Sequence, residues 1–399
     1  MEDIVKKKIV FVIDSLNSGG AEKSLVSLLN LFNYKKYDVH LMLINKSGLY
    51  LPLVPKEVTI IDPPNFFTFK PSLKSFITIN EFKYNIARIK QSLCLRLPIK
   101  RNFSHVAQLS WNFTEKAIDK LESKYDVAIA YSQGFPTYFV ASKVSANKKY
   151  CWINTDYKKA GYNKEFDYKY YEVFDKLIAV SDVARDVLVE VYPEFKNKIT
   201  VIYDIISKNL ICKMADKEIG FKDNFDGLRI LTIGRLVKLK GYDIAIKVAK
   251  KLKDDGINFR WYSIGEGIFK KELLNLVKEN NLEDNFYFLG TFTNPYPFIK
   301  ECDIYCQPSR FEGFGMAIAE AKILKKPIVT TNFTIVHNQI KNNENGIIVD
   351  INDEALYKGI KKIISNNKLK YNLIKNLDKE KISTEDEIFK IYSMLENTC

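Results

Sequence analysis

The sequence predicts an α/β protein made of two doubly wound parallel-sheet domains. Three observations lead there. The chain has 399 residues, more than one hydrophobic core usually organises. Short apolar runs alternate with amphipathic stretches from end to end, the pattern of a parallel sheet covered by helices on both faces. After a polar segment near 207–226 the pattern restarts from a new strand. The expected division is an N-terminal domain over 1–205, a C-terminal domain over 206–383, and a last helix over 384–399.

In the first half, "KIVFVID" (8–14) reads as a buried strand. "AEKSLVSLLNLF" (21–32) places Leu25, Leu28, Leu29 and Phe32 on one helical face. "YDVHLMLI" (37–44), "EVTIID" (57–62), "YDVAIAY" (125–131), "KYCWIN" (149–154), "KLIAV" (176–180) and "ITVIY" (199–203) read as further strands, and Ser181 is placed to cap the helix "DVARDVLVEVY". In the second half "LRILTIG", "FRWYSIG", "NFYFLG", "DIYCQP", "KPIVTT" and "NGIIVD" are strands. Helices "YDIAIKVAKKLK", "KKELLNLVKEN" and "GMAIAEAKIL" lie between them, and two helical segments follow. In the helix starting near Gly315, the spacing predicts a packing face of Ala317, Ile318, Ala321 and Leu324. Open α/β sheets bind ligands beyond the carboxyl ends of their strands, so two such halves facing a central cleft would hold a small molecule.

Hydrophobic residues make up 46% and charged residues 27% of the chain, a folded, soluble-type composition. Net charge is +13, which favours anionic partners without choosing among them. No apolar run reaches the roughly 18 residues of a spanning helix. The opening "MEDIVKKKIVFVID" has lysines before an apolar run, yet Asp14 cuts the run short, so it reads as a strand rather than a leader. The six cysteines lack paired metal-site spacing and fit buried thiols of a reducing compartment. An insert over about 64–104 carries eight basic residues (Lys70, Lys74, Lys83, Arg88, Lys90, Arg96, Lys100, Arg101) against one acid, Glu81, with phenylalanines interleaved. It reads either as an element lying on an anionic membrane or as a solvated face over a local core. Nucleic acid is the weakest reading, because no recognised nucleic-acid motif accompanies it.

Several strand ends carry chemistry. Gly19 and Gly20, in "DSLNSGGAEK", lie between the first strand and first helix, where backbone N–H groups and helix polarity can receive an anion; a plain strand–helix turn also favours two glycines. Arg235 and Lys240, in "IGRLVKLKGYD", suit a diphosphate, or are two solvated basic residues. Gly265, in "IGEGIF", keeps the wall open, while Glu266 either holds a hydroxyl or favours the next helix start. "FLGTF" places Phe292 beside backbone that could read a base. In "SRFEGFGMAIAEA", Glu312 and Glu320 stand eight positions apart, with Gly313, Phe314, Gly315 and Met316 between them. The free N–H groups at this helix start form an anion site. A carboxylate there can accept from ribose hydroxyls, and a second from a sugar. Taken singly, each glutamate also fits a helix-dipole or solvated-face role.

Together "GGAEK", "GRLVKLKGYD" and "EGFGMAIAEA" resemble the retaining glycosyltransferases of family 4, which have the two-domain GT-B fold, and the glutamate pair is similar to that family's E-x7-E signature. The resemblance covers nearly the whole chain in order and spacing, including "FDKLIAVSDVARD" and "KITVIY". It implies transfer of a sugar from a nucleotide-diphosphate donor, most commonly UDP-linked, to a glycan or lipid-linked acceptor of bacterial surface polysaccharide. It also implies no metal and no cofactor. Arg235, Lys240 and the Gly315–Met316 backbone would hold the diphosphate, Glu320 the ribose and Glu312 the sugar, with Gly19 and Gly20 closing from the other domain. Such an enzyme would be cytoplasmic and peripheral on the inner membrane face. One position departs from the family pattern. Where many relatives carry a histidine near the sugar, this chain has Asn154, with Asp156 just beyond. An amide holds a hydroxyl but cannot share a proton as imidazole does. The departure leaves a second reading, a non-catalytic GT-B subunit supporting a partner transferase. A GT-B epimerase or an inverting transferase would be expected to lack this glutamate arrangement.

Overall fold

The computed structural model describes residues 5–17, 19–70, 78–96, 105–380 and 382–396. The chain forms two compact units, Met1–Ile205 with Asp386–Cys399, and Ile206–Glu385.

The first unit holds seven strands: β1 (Lys7–Ile13), β2 (Tyr37–Leu43), β3 (Thr59–Ile61), β4 (Lys124–Ala130), β5 (Ser145–Ile153), β6 (Lys176–Ala179) and β7 (Ile199–Val201). They pair in the order β3-β2-β1-β4-β5-β6-β7, all parallel. Strand β1 explains the double cover. Ile9, Phe11 and Ile13 enter one apolar cluster, Val10 and Val12 the cluster on the opposite face. A strand buried on both sides therefore reads as an unbroken apolar run. The second unit has β8 (Leu228–Ile233), β9 (Phe259–Ile264), β10 (Phe286–Phe288), β11 (Ile304–Gln307), β12 (Ile328–Thr331) and β13 (Ile347–Val349). Their order is β10-β9-β8-β11-β12-β13, again parallel. Strand order reverses between β1 and β4 in one sheet and between β8 and β11 in the other. These switch points are where open α/β sheets leave a crevice for ligands.

Ser181 caps its helix as expected, its Oγ accepting from the Ala184 N–H at 3.1 Å. The C-terminal region has three helices where the sequence suggested two, Asp353–Ser365, Asn367–Lys379 and Glu387–Glu396. The first two are separated because Asn366 leaves helical geometry and caps the second through Leu369 N–H. The last helix belongs to the first unit. Ile388, Ile391 and Leu395 join its core, Tyr392 stacks on Tyr37 at 5.6 Å, and the Tyr150 hydroxyl donates to the Met394 carbonyl at 2.8 Å.

The described part of the basic insert includes the helix Ile79–Arg96. Its inner face is Tyr84, Asn85, Ala87 and Cys94. Arg88 also turns inward, which removes it from the exposed basic set. Its Nη2 donates to the Phe66 carbonyl at 2.8 Å and its guanidinium lies over the Phe66 and Phe69 rings. Glu81 is used at the helix start, where its carboxylate accepts from Thr78 N–H (3.0 Å) while Thr78 Oγ1 accepts from Glu81 N–H (3.2 Å). Lys74, Lys100 and Arg101 lie outside the described residues.

Two buried acids stand out in the first unit. Asp167 accepts from the Tyr138 hydroxyl, the Tyr157 hydroxyl and Gln108 Nε2, each at 2.7 Å. Asp204, just past β7, is 5% exposed. Burial pushes its carboxyl up to about 7; a hydrogen bond with Ser24 opposes this and the Glu22 charge adds to it. A folded-state value above the unfolded one means that the folded chain binds the extra proton, so this group costs stability as pH rises from about 4 to about 7. Asp204→Asn should therefore be the more stable form above pH 7, by on the order of 2 kcal/mol, with the gain shrinking to nothing near pH 4. Thermal melts across that range check this; a gain that does not change with pH contradicts it.

Candidate active site

In the second unit the loops after β8 and β11 flank the switch point, and they carry the two most informative motifs. The β8 loop runs through Arg235 and a short turn, Lys238–Lys240, into the helix Tyr242–Asp254. Gly241 makes the junction. Its φ is 67°, and a Cβ there would sit 1.9 Å from the Pro308 carbonyl oxygen, so only glycine lets the two loops meet. Arg310, which the sequence did not single out, locks them together. It donates to both Asp243 oxygens (2.7 and 2.6 Å) and to the Lys238 carbonyl (2.9 Å). Burial pushes the Asp243 carboxyl up, but the Arg310 hydrogen bonds and charge outweigh it and hold the group below its usual range.

Glu312 is 9% exposed and its carboxylate is fully oriented. Oε2 pairs with Lys240 Nζ at 2.5 Å; Oε1 accepts from Ser309 Oγ (2.7 Å) and Gln307 Nε2 (3.0 Å). Gln307 is itself fixed by the Tyr305 hydroxyl at 2.6 Å. Glu312 thus does not serve the helix dipole, and Lys240 is not a solvated lysine. An ionised carboxylate has about four acceptor positions; three are used here. Arg235 differs, being exposed.

The helix Met316–Ile323 starts from Gly315 at φ 84°. Its first bonds run from Ile318 and Ala319 N–H to the Gly315 carbonyl (2.9 and 3.2 Å), which places the Met316 and Ala317 N–H groups at the uncommitted end. Gln339 Nε2 donates to the Phe314 carbonyl, holding the Gly313–Gly315 turn from behind. The expected packing face proves too narrow. Ile318, Ala319, Glu320, Ala321, Lys322 and Ile323 are all buried, while Ala317 and Leu324 are half-buried. Glu320, 1% exposed, is not on a solvated face. The Tyr296 hydroxyl lies 3.3 Å from its Oε1.

Gly265 has a different reason from an open wall. A Cβ there would lie 2.0 Å from the Gly234 carbonyl oxygen, so it lets the β8 and β9 loops pack backbone to backbone. Glu266 pairs with Lys270 at 2.6 Å, one turn along. Phe292 packs on Phe298 with centroids 4.6 Å apart.

In the first unit, Gly20 begins the helix Gly20–Leu31 and Gly19 caps it. The space a Gly19 side chain would need is taken by the Glu22 carboxylate, 2.0 Å from such a Cβ. Asn154 follows β5, and both of its amide atoms are shielded from solvent without a hydrogen-bond partner among the described residues, a costly state for a polar group. Asp156 is committed elsewhere, capping the next helix through Lys158 and Lys159 N–H (3.0 and 3.2 Å). The structure adds Gln133 beside Asn154. Its Oε1 accepts from Thr155 N–H (3.1 Å) and Oγ1 (2.6 Å), while its Nε2 is shielded and has no acceptor among the described residues.

Residues 217–380 match the family described as glycosyl transferases, group 1. They span the whole β8–β13 sheet with both switch-point loops. The second unit thus carries a glycosyl transferase group 1 domain. A Campylobacter jejuni protein is 26% identical over 384 residues, 96% of each chain; it is named N-acetylgalactosamine-N,N'-diacetylbacillosaminyl-diphospho-undecaprenol 4-alpha-N-acetylgalactosaminyltransferase. An Escherichia coli O-antigen biosynthesis glycosyltransferase, WclY, is 33% identical over 168 residues, covering 41% of this chain and 44% of its own. The crystal structure of Anabaena HepE in complex with UDP-glucose superposes with a TM-score of 0.70 at 16% identity, covering 98% of this chain and 99% of that one. This likeness shows the fold, the GT-B architecture of two Rossmann-like units. The site also contains Arg310, Gln307, Ser309 and Gln339, which orient the two loops. Gln307 and Ser309 had a faint sequence signal, as polar residues closing an apolar strand; Arg310 and Gln339 had none.

Proposed function

We propose that this glycosyltransferase moves a sugar, with retention of anomeric configuration and without a metal, from a UDP-sugar to a lipid-linked acceptor in the assembly of a bacterial surface polysaccharide. The observation that carries the reading is the buried, pre-oriented Glu312–Lys240 pair beside a helix start, at the switch point of a group 1 glycosyl transferase domain.

In this reading Lys240 and Arg235 take the charge of the departing diphosphate, with the Gly315 and Met316 N–H groups adding fixed dipoles. Gly313 and Phe314 form the turn beneath it. Because Lys240 is held by Glu312, it sits in place before the donor arrives, and little reorganisation accompanies the reaction. The remaining acceptor position on Glu312 takes a sugar hydroxyl. Glu320 accepts from the ribose hydroxyls, and Gly265 and Phe292 line the nucleotide side. Arg235, Lys240 and Glu312 are the residues that touch the reacting part of the donor. The first unit is assigned the acceptor side. There Asn154 offers an amide that a hydroxyl would satisfy; Asp156, spent on its cap, is withdrawn from that role. The acceptor hydroxyl enters on the face the diphosphate leaves, and a donor phosphate oxygen takes its proton.

Support for the finer points comes from relatives. The Campylobacter protein's name specifies an alpha linkage and a diphospho-undecaprenol acceptor, and the HepE complex holds UDP-glucose. Sugars of common UDP donors are alpha-linked, so an alpha product means retention. The test is a panel of nucleotide sugars with membrane-extracted lipid acceptors, read by product mass and by the anomeric proton coupling. The expected result is transfer from one UDP-sugar, an alpha product and no effect of chelator. A beta product or a chelator-sensitive reaction overturns the mechanism. Absence of transfer or donor hydrolysis with every sugar overturns the enzyme reading in favour of a binding subunit.

A further inference from the structure

The helix Ile79–Arg96 presents a solvent-facing apolar stripe that no step of sugar transfer uses. Ile79 is 86% exposed, Phe82 52%, Ile89 55% and Leu93 57%, with Ile86 half-buried between them. At 100° per residue these five side chains fall within an arc of about 80°, along roughly 20 Å of helix. Lys83 and Lys90 border the stripe on one side and Arg96 on the other, all exposed. The opposite face is packed into the unit through Tyr84, Ala87 and Cys94, and the Tyr84 hydroxyl donates to Asp119 at 2.8 Å. The helix is therefore fixed in orientation, and the stripe is not a core face left loose. Arg88 is turned inward and Glu81 is used in the cap, so no acid interrupts the bordering cations.

An exposed apolar band edged by lysine and arginine is the composition of a helix lying in the plane of a membrane interface. The apolar side chains enter the headgroup–acyl boundary, and the cations meet anionic headgroups. Among the described residues no helix is long and apolar enough to cross a membrane, so contact of this kind is by surface seating. A second copy of the chain would need the same cations to face each other across the interface, which opposes pairing. We infer that the Ile79–Arg96 helix seats this enzyme in-plane on an anionic lipid surface, with Ile79, Phe82, Ile86, Ile89 and Leu93 inserted and Lys83, Lys90 and Arg96 on the headgroups. This deepens the lipid-linked acceptor reading by supplying the surface on which such an acceptor is met. It is tested without the reaction, so either can fail alone.

The full chain is sedimented with vesicles of phosphatidylcholine alone or mixed with phosphatidylglycerol. The probe pairs are Ile89→Ser with Leu93→Ser, and Lys83→Glu with Lys90→Glu. All four positions are exposed, and thermal melts of the same samples check folding. The wild-type chain is expected to bind the anionic vesicles and to lose binding as salt rises. The serine pair should weaken binding about tenfold or more, and the glutamate pair should abolish preference for phosphatidylglycerol. Lack of wild-type binding, or binding untouched by the serine pair, overturns the inference. So does a wild-type dimer in sedimentation velocity that the serine pair dissociates, because the stripe would then be an interface between copies.

Discussion

Replacing Glu320 with alanine is expected to lower kcat/KM for sugar transfer by about 100-fold or more while leaving the melting temperature unchanged or raised. In the proposed role the carboxylate accepts from ligand hydroxyls, and hydrogen bonds to a charged group contribute about 1.5–3 kcal/mol each. Two of them account for a loss of that size. The stability half of the expectation separates function from structure. A carboxylate 1% exposed on a helix of alanine and isoleucine is expensive to keep, so a residue retained for its ligand leaves the fold no weaker when removed. If the alanine form melts much lower and loses activity only in proportion to its folded fraction, Glu320 is structural. Glu320→Gln should retain part of the activity, since an amide oxygen still accepts.

Asp167→Ala carries the largest expected effect on the fold. The change strands the Tyr138 hydroxyl and takes one acceptor each from the Tyr157 hydroxyl and from the Gln108 amide, which keeps the Asn163 carbonyl. Removing a buried carboxylate that three donors share costs about 3 kcal/mol or more. The effect spreads because Tyr157 also meets the Tyr192 hydroxyl at 2.6 Å. Chemical denaturation should show the lower midpoint with an unchanged slope, and Asp167→Asn, which keeps an acceptor oxygen, should lose less. Equal stability of the alanine form and the wild-type chain would mean the network contributes nothing.

Much of the fold was legible because both sheets are parallel. Strands buried on two faces must be apolar along their length, so "KIVFVI" and "LRILTI" declared themselves, and the restart at Leu228 marked the second unit. The switch points could be used but not seen, since strand order depends on which edges pair across long connections. The site was half legible. Lys240 and Glu312 stood in recognisable loops, yet nothing in their spacing of 72 positions says that they form an ion pair. Glu320 could be placed on a helix, but its burial arises because that helix is packed on nearly every side, against the amphipathic expectation. The glycines were noticed for the wrong reason in one case. Gly265 serves contact between two backbones, a constraint set by the Gly234 carbonyl. Gly241, the glycine that joins the loops, looked like part of a motif. Arg310 was missed because one arginine among 61 basic residues carries no mark of its partner. The insert was open between a membrane element and a solvated face. The structure sharpens this by turning Arg88 inward and leaving an apolar stripe outward, a distinction that composition cannot make.

The most direct measurement is a calorimetric titration of UDP into the wild-type chain and into Glu320→Ala, with chelator present throughout. The account predicts saturable one-to-one binding to the wild-type chain and affinity about 100-fold weaker in the variant. Absence of UDP binding to the wild-type chain, or equal affinity in the two forms, would contradict it.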